Sequence, residues 1–466
     1  MKPFFAILLC LSPFLATGQD PAPSIVHAYI RTALDQNIGL KQEHYAYDQS
    51  QAVVAESRSA FLPTLSLQAR YSIARGGRSF DLPLGDLMNP VYQNLNLLNQ
   101  AASDASPGYP SLPGYPNIAN EQVNFLRETE QETFLRLAMP LWNPALRQNR
   151  RMQEALSAAE REGLTEYQRQ LVEKVKVAYF QYLKAREGVA LYNNTMELVQ
   201  ANLRTSESLY AHHQVTIDEV YAARAQVEQV EQDLAQARKA ERVARAFFNT
   251  LLNRPHPTPI EVEPPTEGSQ ALPDLQSAIN RALQERETFR QVDRYLEASA
   301  HRIELESGQA LPTIGLAVDY GIQGTNYSFE PGADYVMGSV VLQWNLFDRK
   351  RKHRVEQARL ARAELGQQRR AIQQQITLQV IDSYSELEAV GERRQSARAE
   401  TTSAESAYRL IERKYRQGQA NQVELINART QMTNAERRAI IADYDYQIAL
   451  ARLERATGGF RFFQTQ

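Results

Sequence analysis

Most of this chain is written twice. Residues 133–253 match residues 338–458 without a gap at a shift of 205 positions, which carries Leu141-Trp142-Asn143 onto Leu346-Phe347-Asp348. Upstream the shift is 249 positions, because the first copy holds 44 extra residues between positions 75 and 130. A tandem repeat of this size predicts one pseudo-symmetric unit rather than several unrelated domains.

The first residues indicate export. Lys2 precedes an apolar run from Phe4 to Leu15 and the small residues that follow it, which is the pattern of a secretory signal peptide over 1–18. The single cysteine, Cys10, lies inside this segment, and Ile7-Leu8-Leu9 before it lacks the small side chains of a lipid-attachment site. Cleavage would leave a mature chain without thiols, which rules out disulfides and cysteine metal clusters.

Charge and hydropathy exclude further classes of protein. Charged residues make up 23% of the chain and nearly balance at a formal net charge of −2, which argues against a nucleic-acid partner. No apolar stretch after the signal is long enough for a transmembrane helix. The sequence shows neither a catalytic constellation nor a phosphate-cradling glycine loop, so we expect no enzyme and no cofactor or metal.

Each copy predicts the order helix, strand, loop, strand and long helical hairpin. The opening helix of the first copy is expected at about 23–60. We place the first repeat at 19–253, a proline-rich linker at 254–271, the second repeat at 272–458 and a C-terminal tail at 459–466.

Period-two alternation of apolar and polar residues predicts two strand pairs. The strands are expected at 64–75 and 132–142 in the first repeat, and at 313–324 and 335–346 in the second. Such alternation suits an outer-membrane strand and also a soluble sheet with one face on a core. The strands alone do not separate these two alternatives.

The helical hairpins favour the membrane alternative. They are expected at 144–253 and 348–457, and the first helix of each would be about 100 Å long at roughly 1.5 Å per residue. Apolar residues recur in them at three- and four-residue steps, as in a coiled-coil seam. Helices of that length would project from a four-stranded sheet. The predicted fold class is therefore mostly α with β, with long antiparallel coiled-coil helices.

Three motifs resemble a known family. The strand pairs open with Leu62-Pro63-Thr64-Leu65 and Leu311-Pro312-Thr313-Ile314, and they end at the two segments Leu141-Trp142-Asn143 and Leu346-Phe347-Asp348. The third motif is Tyr415-x-x-Gly418-x-x-x-x-x-Glu424-Leu425-x-x-Ala428-Arg429. In this combination the chain resembles the TolC-like outer membrane efflux protein family, over essentially its whole mature length.

The resemblance implies a homotrimer, since four strands cannot close a membrane barrel alone. Three chains would share a twelve-stranded β-barrel in the lipid of a Gram-negative outer membrane, and their helices would form a tunnel in the periplasm. A periplasmic adaptor protein and an inner-membrane pump would be partners of this passive duct for small molecules and drugs. A type I protein-secretion duct or a metal-ion efflux duct of the same fold stays open, as does a periplasmic coiled-coil scaffold.

The resemblance places the two helix turns, around 211–220 and 416–425, at the periplasmic tip. The candidates for an aperture or gate there are Glu424, Tyr415, Asp218, Glu219 and Asn427. The candidates for the tip turn and adaptor docking are Gly418, Ala428, Arg429, Ala223 and Arg224.

Each of these candidates has a plainer explanation. A ring of three Glu424 carboxylates would attract cations, but acids also stabilise helix N-termini. The latter explanation fits Asp218 better than Glu424, which we place deeper in its helix. Asn427 stands where the family often has a second acid, which predicts weaker cation binding. Tyr415 is either a gate residue or a seam aromatic, and His213 replaces the glycine found at Gly418.

Basic residues follow both strand exits. They are Arg147, Arg150, Arg151, Arg349, Lys350, Arg351, Lys352 and Arg354. Cations in the first turn of a helix oppose its dipole, so something should compensate them. One interpretation is a membrane-rim collar on anionic phospholipid headgroups. The other is a solvated basic face paired with Glu154 and Glu356.

The 44 extra residues form a hairpin connection that strand polarity places outside the cell. Segment 80–100 carries apolar residues that a freely moving loop would lack. We predict that it folds against the barrel mouth as a short helix and narrows it, while 103–120 stays irregular. The alternative is a surface loop without a role in the channel.

Overall fold

The computed structural model describes residues 25–106, 108, 110, 112–263, 274–327 and 332–458. The predicted signal peptide at 1–18 and the tail at 459–466 lie outside the described residues, as does the part of the linker from 264 onward.

The first repeat contains nine of the described helices and strands. It begins with the helices α1 (Ile25–Gln36) and α2 (Ile38–Ser59) and the strand β1 (Thr64–Ile73). The extra segment holds β2 (Ser79–Leu82), α3 (Leu84–Ala105) and β3 (Glu121–Asn124). The strand β4 (Thr129–Trp142) returns, and the hairpin of α4 (Pro144–Ala211) and α5 (Ile217–Leu251) follows.

The second repeat has the same order without the insertion. Its elements are α6 (Leu275–Glu285), α7 (Glu287–Gly308), β5 (Thr313–Gly324), β6 (Asp334–Gln343), α8 (Arg349–Arg416) and α9 (Gln422–Ala456). The helices α4 and α8 each have 68 residues, and α5 and α9 each have 35. The two hairpins are therefore copies at the level of structure as well as sequence.

The opening helix of each repeat is broken, where the sequence predicts a continuous helix over about 23–60. Between α1 and α2 the Asn37 side chain accepts a hydrogen bond from the Leu40 amide (3.0 Å) and donates one to the Leu251 carbonyl (2.9 Å). An asparagine in this role caps the helix that follows it. The expected continuous helix is wrong because this cap starts a new helix and also closes the end of α5.

Four antiparallel strands form a sheet in the order β1-β4-β5-β6 within the described residues. β5 has its expected bounds, whereas β4 begins three residues early and β6 ends at Gln343 rather than 346. β6 stops there because its partner strand begins opposite it at Thr313, directly after a proline that cannot donate to a ladder. Trp344 instead donates from its ring nitrogen to the Ala310 carbonyl at 2.9 Å.

The two faces of this sheet differ in chemistry. One face is apolar and open, and Leu65, Leu67 and Val340 on it are each 69% exposed. On the other face Arg136 and Asp319 form two hydrogen bonds of 2.7 and 2.8 Å across β4 and β5. A sheet with a soluble core would bury its apolar face, so this face is suited to lipid.

The chain separates into two compact units that cut across both repeats. One comprises 55–150 and 304–355 and contains all six strands of the described chain, and the other comprises most of the helical sequence. In the helical unit a hydrophobic core includes the fully buried Ile30, Val175 and Phe248. Tyr29 meets Phe248 edge to face at 5.0 Å between ring centres. No helix among the described residues has the length and apolar character to cross a membrane.

Both hairpin turns use the same backbone device. His213 and Gly418 adopt left-handed conformations with φ of 55° and 73°. In each turn the amide of this residue donates to the carbonyl three positions back, and the next amide donates to the carbonyl five positions back. This is a Schellman motif, which closes the C-terminus of the preceding helix. The first repeat therefore keeps the turn without its glycine.

Candidate functional site

The helix turns bring together polar side chains that are far apart in sequence. Tyr415, near the end of α8, is 8% exposed, and Ser206 of α4 is fully buried. The Tyr415 hydroxyl lies beside the Ser206 hydroxyl and the carboxylate of Glu219, in the first turn of α5. Among the described residues none of these three groups completes a hydrogen bond of good geometry at its buried oxygen. The contact joins one helical hairpin to the other.

The protonation of this contact is shifted by its surroundings. Burial raises the pKa of the Tyr415 hydroxyl, so the tyrosine remains a hydrogen-bond donor. Burial, and then the neighbouring charge of Asp218, raises the pKa of the Glu219 carboxyl, while Tyr415 opposes this effect. Glu219 therefore takes up a proton more readily than an ordinary glutamate, and the contact can respond to acidification.

Two further polar side chains on α9 are buried beside the same turn of the chain. Arg429 and Gln422 are each 3% exposed. One guanidinium nitrogen of Arg429 and both amide atoms of Gln422 find no hydrogen-bond partner in the part of the chain that the structure describes. Burial lowers the pKa of Arg429. Unpaired buried groups of this kind cost stability.

The structure corrects the position that we predicted for Glu424. This residue lies in the first turn of α9, not deeper in the helix. Its amide donates to the Asn421 side chain at 2.8 Å, and its carboxylate accepts from the Asn421 amide at 3.3 Å. Asn421 and Glu424 therefore form a capping box at the start of α9. Glu424 is exposed, so the cap leaves its charge accessible to solvent.

The other predicted tip residues divide between buried and exposed positions. Ala223 is 1% exposed and belongs to the packing of α5. Arg224 is exposed and pairs with Glu207 across the hairpin at 3.3 Å. Asp218 and Asn427 are exposed, Ala428 is half-buried, and Gly418 occupies the turn as a helix C-cap. Ser206 and Gln422 are site residues that the sequence analysis missed, because a buried serine or glutamine carries no sequence signal.

The basic residues after the strands lie in several environments. Arg354 pairs with Asp348 at 2.9 Å and with Glu306 at 3.5 Å. The guanidinium groups of Arg147 and Arg150 lie over the rings of Trp142 and Phe61, at 6.0 and 5.9 Å.

The start of α8 explains how its first-turn cations are tolerated. Asp348 accepts a hydrogen bond from the Lys350 amide at 2.9 Å, so a carboxylate caps the helix. Arg349, Lys350 and Lys352 are exposed, and none has an ion pair with another described residue. The predicted partner Glu356 instead approaches Arg359 at 4.0 Å. Arg349, Lys350 and Lys352 are therefore exposed cations at the start of α8 that form no ion pair with a described residue.

Comparison with known proteins identifies the fold. The outer membrane efflux protein family model matches residues 278–459. The Campylobacter jejuni CmeC outer membrane channel is 14% identical with a TM-score of 0.75, over 94% of this chain and 86% of that chain. The open-state Neisseria gonorrhoeae MtrE outer membrane channel is 18% identical with a TM-score of 0.72, over 94% and 89%.

A third structure extends the likeness over nearly the full chain. CusC is 15% identical with a TM-score of 0.75, over 96% of both chains, and its structures concern transmembrane channel formation. At these identities the likeness shows that the fold is shared. No curated relative matches this chain.

The raised pKa of Glu219 predicts how acid affects the helix turns. A carboxyl whose pKa is higher in the folded than in the unfolded state contributes stability that is full below the unfolded pKa, about 4.3, and is lost as pH rises through the folded value. Acidification from neutral pH should therefore stabilise the native protein relative to Glu219→Gln. The difference between the two melting temperatures, measured in detergent across this range, gives the effect. Glu228→Gln, at an exposed position on α5, is the control. Parallel curves for the native protein and Glu219→Gln would contradict the assignment.

Proposed function

We propose that the chain is a TolC-like outer membrane efflux protein, and that three copies form a closed barrel and a periplasmic tunnel through which small molecules leave the cell. Its location is the outer membrane, with an extension into the periplasm. The observation that carries the proposal is a sheet whose apolar face is exposed and whose two outer strands, β1 and β6, each pair along only one edge within the described residues.

The outer strands are matched in length. β1 and β6 each contain ten residues, which is the length of a tilted strand that crosses a bilayer. Each presents a free edge of backbone groups, and an unpaired backbone group in lipid costs several kcal/mol. Pairing of β6 in one protomer with β1 in the next removes both edges. Three protomers with four strands each then give twelve strands around a lumen.

The faces of the sheet fix its orientation in such a barrel. The apolar face with Leu65, Leu67 and Val340 turns toward lipid, and the face with Arg136 and Asp319 lines the lumen. A polar lumen admits water and polar solutes. A periplasmic scaffold with a soluble sheet would have no use for the exposed apolar face, and this argues against that alternative.

The contact of Tyr415 with Ser206 and Glu219 supports a role in closing the tunnel. It holds the α8–α9 hairpin against the α4–α5 hairpin near the turns. Separation of these hairpins would widen the tunnel, so a partner that binds the turns can shift the balance between closed and open states. We propose that this partner is the periplasmic adaptor of an inner-membrane pump.

The proposed function predicts a channel. Protein extracted from the outer membrane should migrate as a trimer that heating converts to monomer, and it should form stable conducting pores in planar bilayers. Conductance should rise when Tyr415→Phe removes the hydroxyl that bridges the hairpins, while Tyr210→Phe, an exposed position at the equivalent place in the first repeat, should leave it unchanged. A monomer that partitions into the soluble periplasmic fraction would refute the proposal.

A substitution at Glu424 can distinguish an electrostatic role of its carboxylate from its structural role in the helix cap. Glutamine also completes a capping box, so Glu424→Gln should keep the helix cap and remove only the charge. If three Glu424 carboxylates converge near the tunnel axis, this variant should weaken cation selectivity and block by multivalent cations. The reversal potential in a salt gradient measures the selectivity, and the melting temperature checks the cap. An unchanged reversal potential would show that Glu424 serves the helix alone.

We also propose that Arg349, Lys350 and Lys352 bind anionic phospholipid headgroups at the periplasmic rim of the barrel. They follow Trp344 and Phe347, which are 55% and 87% exposed, and aromatic residues with adjacent cations are typical of a membrane interface. Changing the three cations to glutamine should at least halve the phosphatidylglycerol that copurifies with the trimer.

The control for this collar uses three exposed arginines farther along α8. This control variant replaces Arg362, Arg370 and Arg413 with glutamine, so it also removes three positive charges, but at positions far from the strands in sequence. Arg354 stays native in both variants, because its ion pairs with Asp348 and Glu306 are structural. Equal amounts of bound phospholipid in the two triple variants would contradict the collar.

A further inference from the structure

The insertion in the first repeat is a hairpin in which the helix α3 is followed by a non-helical segment that returns along it. α3 and the segment that returns along it are joined by two asparagines seven residues apart. Asn89 exchanges two hydrogen bonds with the backbone of Ile118, at 2.9 and 2.8 Å. Asn96 does the same with Tyr115, at 3.0 and 2.8 Å. Seven residues are about two helical turns, so both amides lie on one face of α3 and hold an extended strand of chain there.

Further contacts fix the two ends of this hairpin. Tyr92 stacks on Tyr115 at 5.1 Å between ring centres. A side chain at Gly85 would collide with the Ile118 carbonyl, so the chains meet closely at that point. β2 and β3 pair over four residues at the base, and this strand pair was not predicted. The expectation of an irregular 103–120 is wrong for 103–105, which belong to α3, and the remaining described part is held by the asparagines.

A different face of α3 is apolar and uncovered. It consists of residues at steps of four, four and three, which are Leu87, Val91, Leu95 and Leu98. Leu87 and Leu98 are 66% and 65% exposed. Spacing of this kind is the pattern of a helix that buries one side against a partner. A stripe of this size on a well-ordered helix therefore indicates an interaction surface.

The charges of α3 argue against a lipid surface as that partner. The helix contains the acids Asp86 and Asp104 and no lysine or arginine. Helices that lie on membranes carry basic residues on their polar face, because the surface is anionic. An uncharged or acidic helix with a leucine stripe is suited instead to packing against protein.

The position of α3 in the chain identifies the protein partner. α3 lies in the connection that follows β1, and β1 is one of the two outer strands of the sheet. Under the proposed function this edge joins the next protomer, so each α3 arises beside a protomer boundary. A twelve-stranded barrel would be about 24 Å across, given strands spaced about 4.8 Å apart and tilted by about 40°. A helix of 22 residues is about 33 Å long, so it can reach from the wall past the axis.

We propose that the leucine stripes of three α3 helices pack against one another and form a cap over the outer mouth of the barrel. The inference rests on the trimer of the proposed function. The leucine stripe becomes buried in the trimer. The opposite face of α3, with Asn89 and Asn96, holds the segment around 115–118 on the outside of the cap. The cap narrows the exit and makes the outer mouth a second restriction, in addition to the one proposed at the helix turns.

Cysteine cross-linking tests the cap directly. The only native cysteine, Cys10, precedes the described residues and is removed with the predicted signal peptide, so a single introduced thiol can be followed without background. Val91→Cys or Leu98→Cys should give cross-linked dimers on oxidation. The matched controls Gln93→Cys and Gln100→Cys lie on the opposite side of the helix and should stay uncross-linked. Equal cross-linking at both pairs of positions would overturn the proposal.

A deletion distinguishes failure of the cap from failure of the trimer. Removal of 80–126 should leave heat-modifiable trimers intact and raise single-channel conductance by about twofold, because the channel loses one of two restrictions in series. Trimers that show neither stripe-specific cross-links nor increased conductance would refute the cap and leave the proposed function standing. Absence of trimers in the native protein would refute both.

Discussion

The backbone groups at the two outer edges of the sheet are the constraint on which this structure depends. β1 and β6 expose a row of amides and carbonyls beside an apolar face, and lipid offers these groups no hydrogen bonds. A single chain therefore cannot be the membrane-inserted state. In the proposed trimer, neighbouring copies would close these edges, and the lumen, the tunnel and the three-fold repetition of every side chain would follow. The ten-residue strands and the polar inner face agree with the same solution.

Duplication supplies most of the architecture, and the differences between the copies supply its specialised parts. The long helices of the two hairpins have equal lengths, and both hairpin turns contain the same pattern of backbone hydrogen bonds. The break in the opening helix shows a difference. At the break between α1 and α2, the side-chain amide of Asn37 donates a hydrogen bond to the Leu251 carbonyl. At the break between α6 and α7, Arg286 takes the equivalent place and donates to the Gln379 side chain at 2.5 Å. Next to it the fully buried Glu287 pairs with Arg169 at 2.7 Å. Ionic packing thus joins the second repeat to α4, where the first uses tyrosine and phenylalanine.

The sequence predicted the elements that follow from periodicity and missed those that depend on single side chains. Alternation located all four strands of the main sheet. The fold expected from the family resemblance is shared with CusC, and the outer membrane efflux protein family model matches residues 278–459. The helix break at Asn37 was not predicted, because the apolar residues on both sides of this asparagine continue the spacing of a single helix. Glu424 was expected deeper in its helix than the first turn, where it lies. The buried positions of Ser206 and Gln422 follow from the packing of helices that are distant in sequence. The helix in the insertion was predicted from its leucines, while its asparagine contacts require the tertiary fold.

Hydrogen–deuterium exchange of the protein in lipid nanodiscs tests the closure of the sheet most directly. Amide exchange reports whether each backbone group has a protected hydrogen bond. If neighbouring copies close the barrel, peptides covering 64–73 and 334–343 should exchange as slowly as those covering β4 and β5. Rapid exchange along both outer strands, beside slow exchange in the inner pair, would show an open sheet and contradict the trimeric barrel.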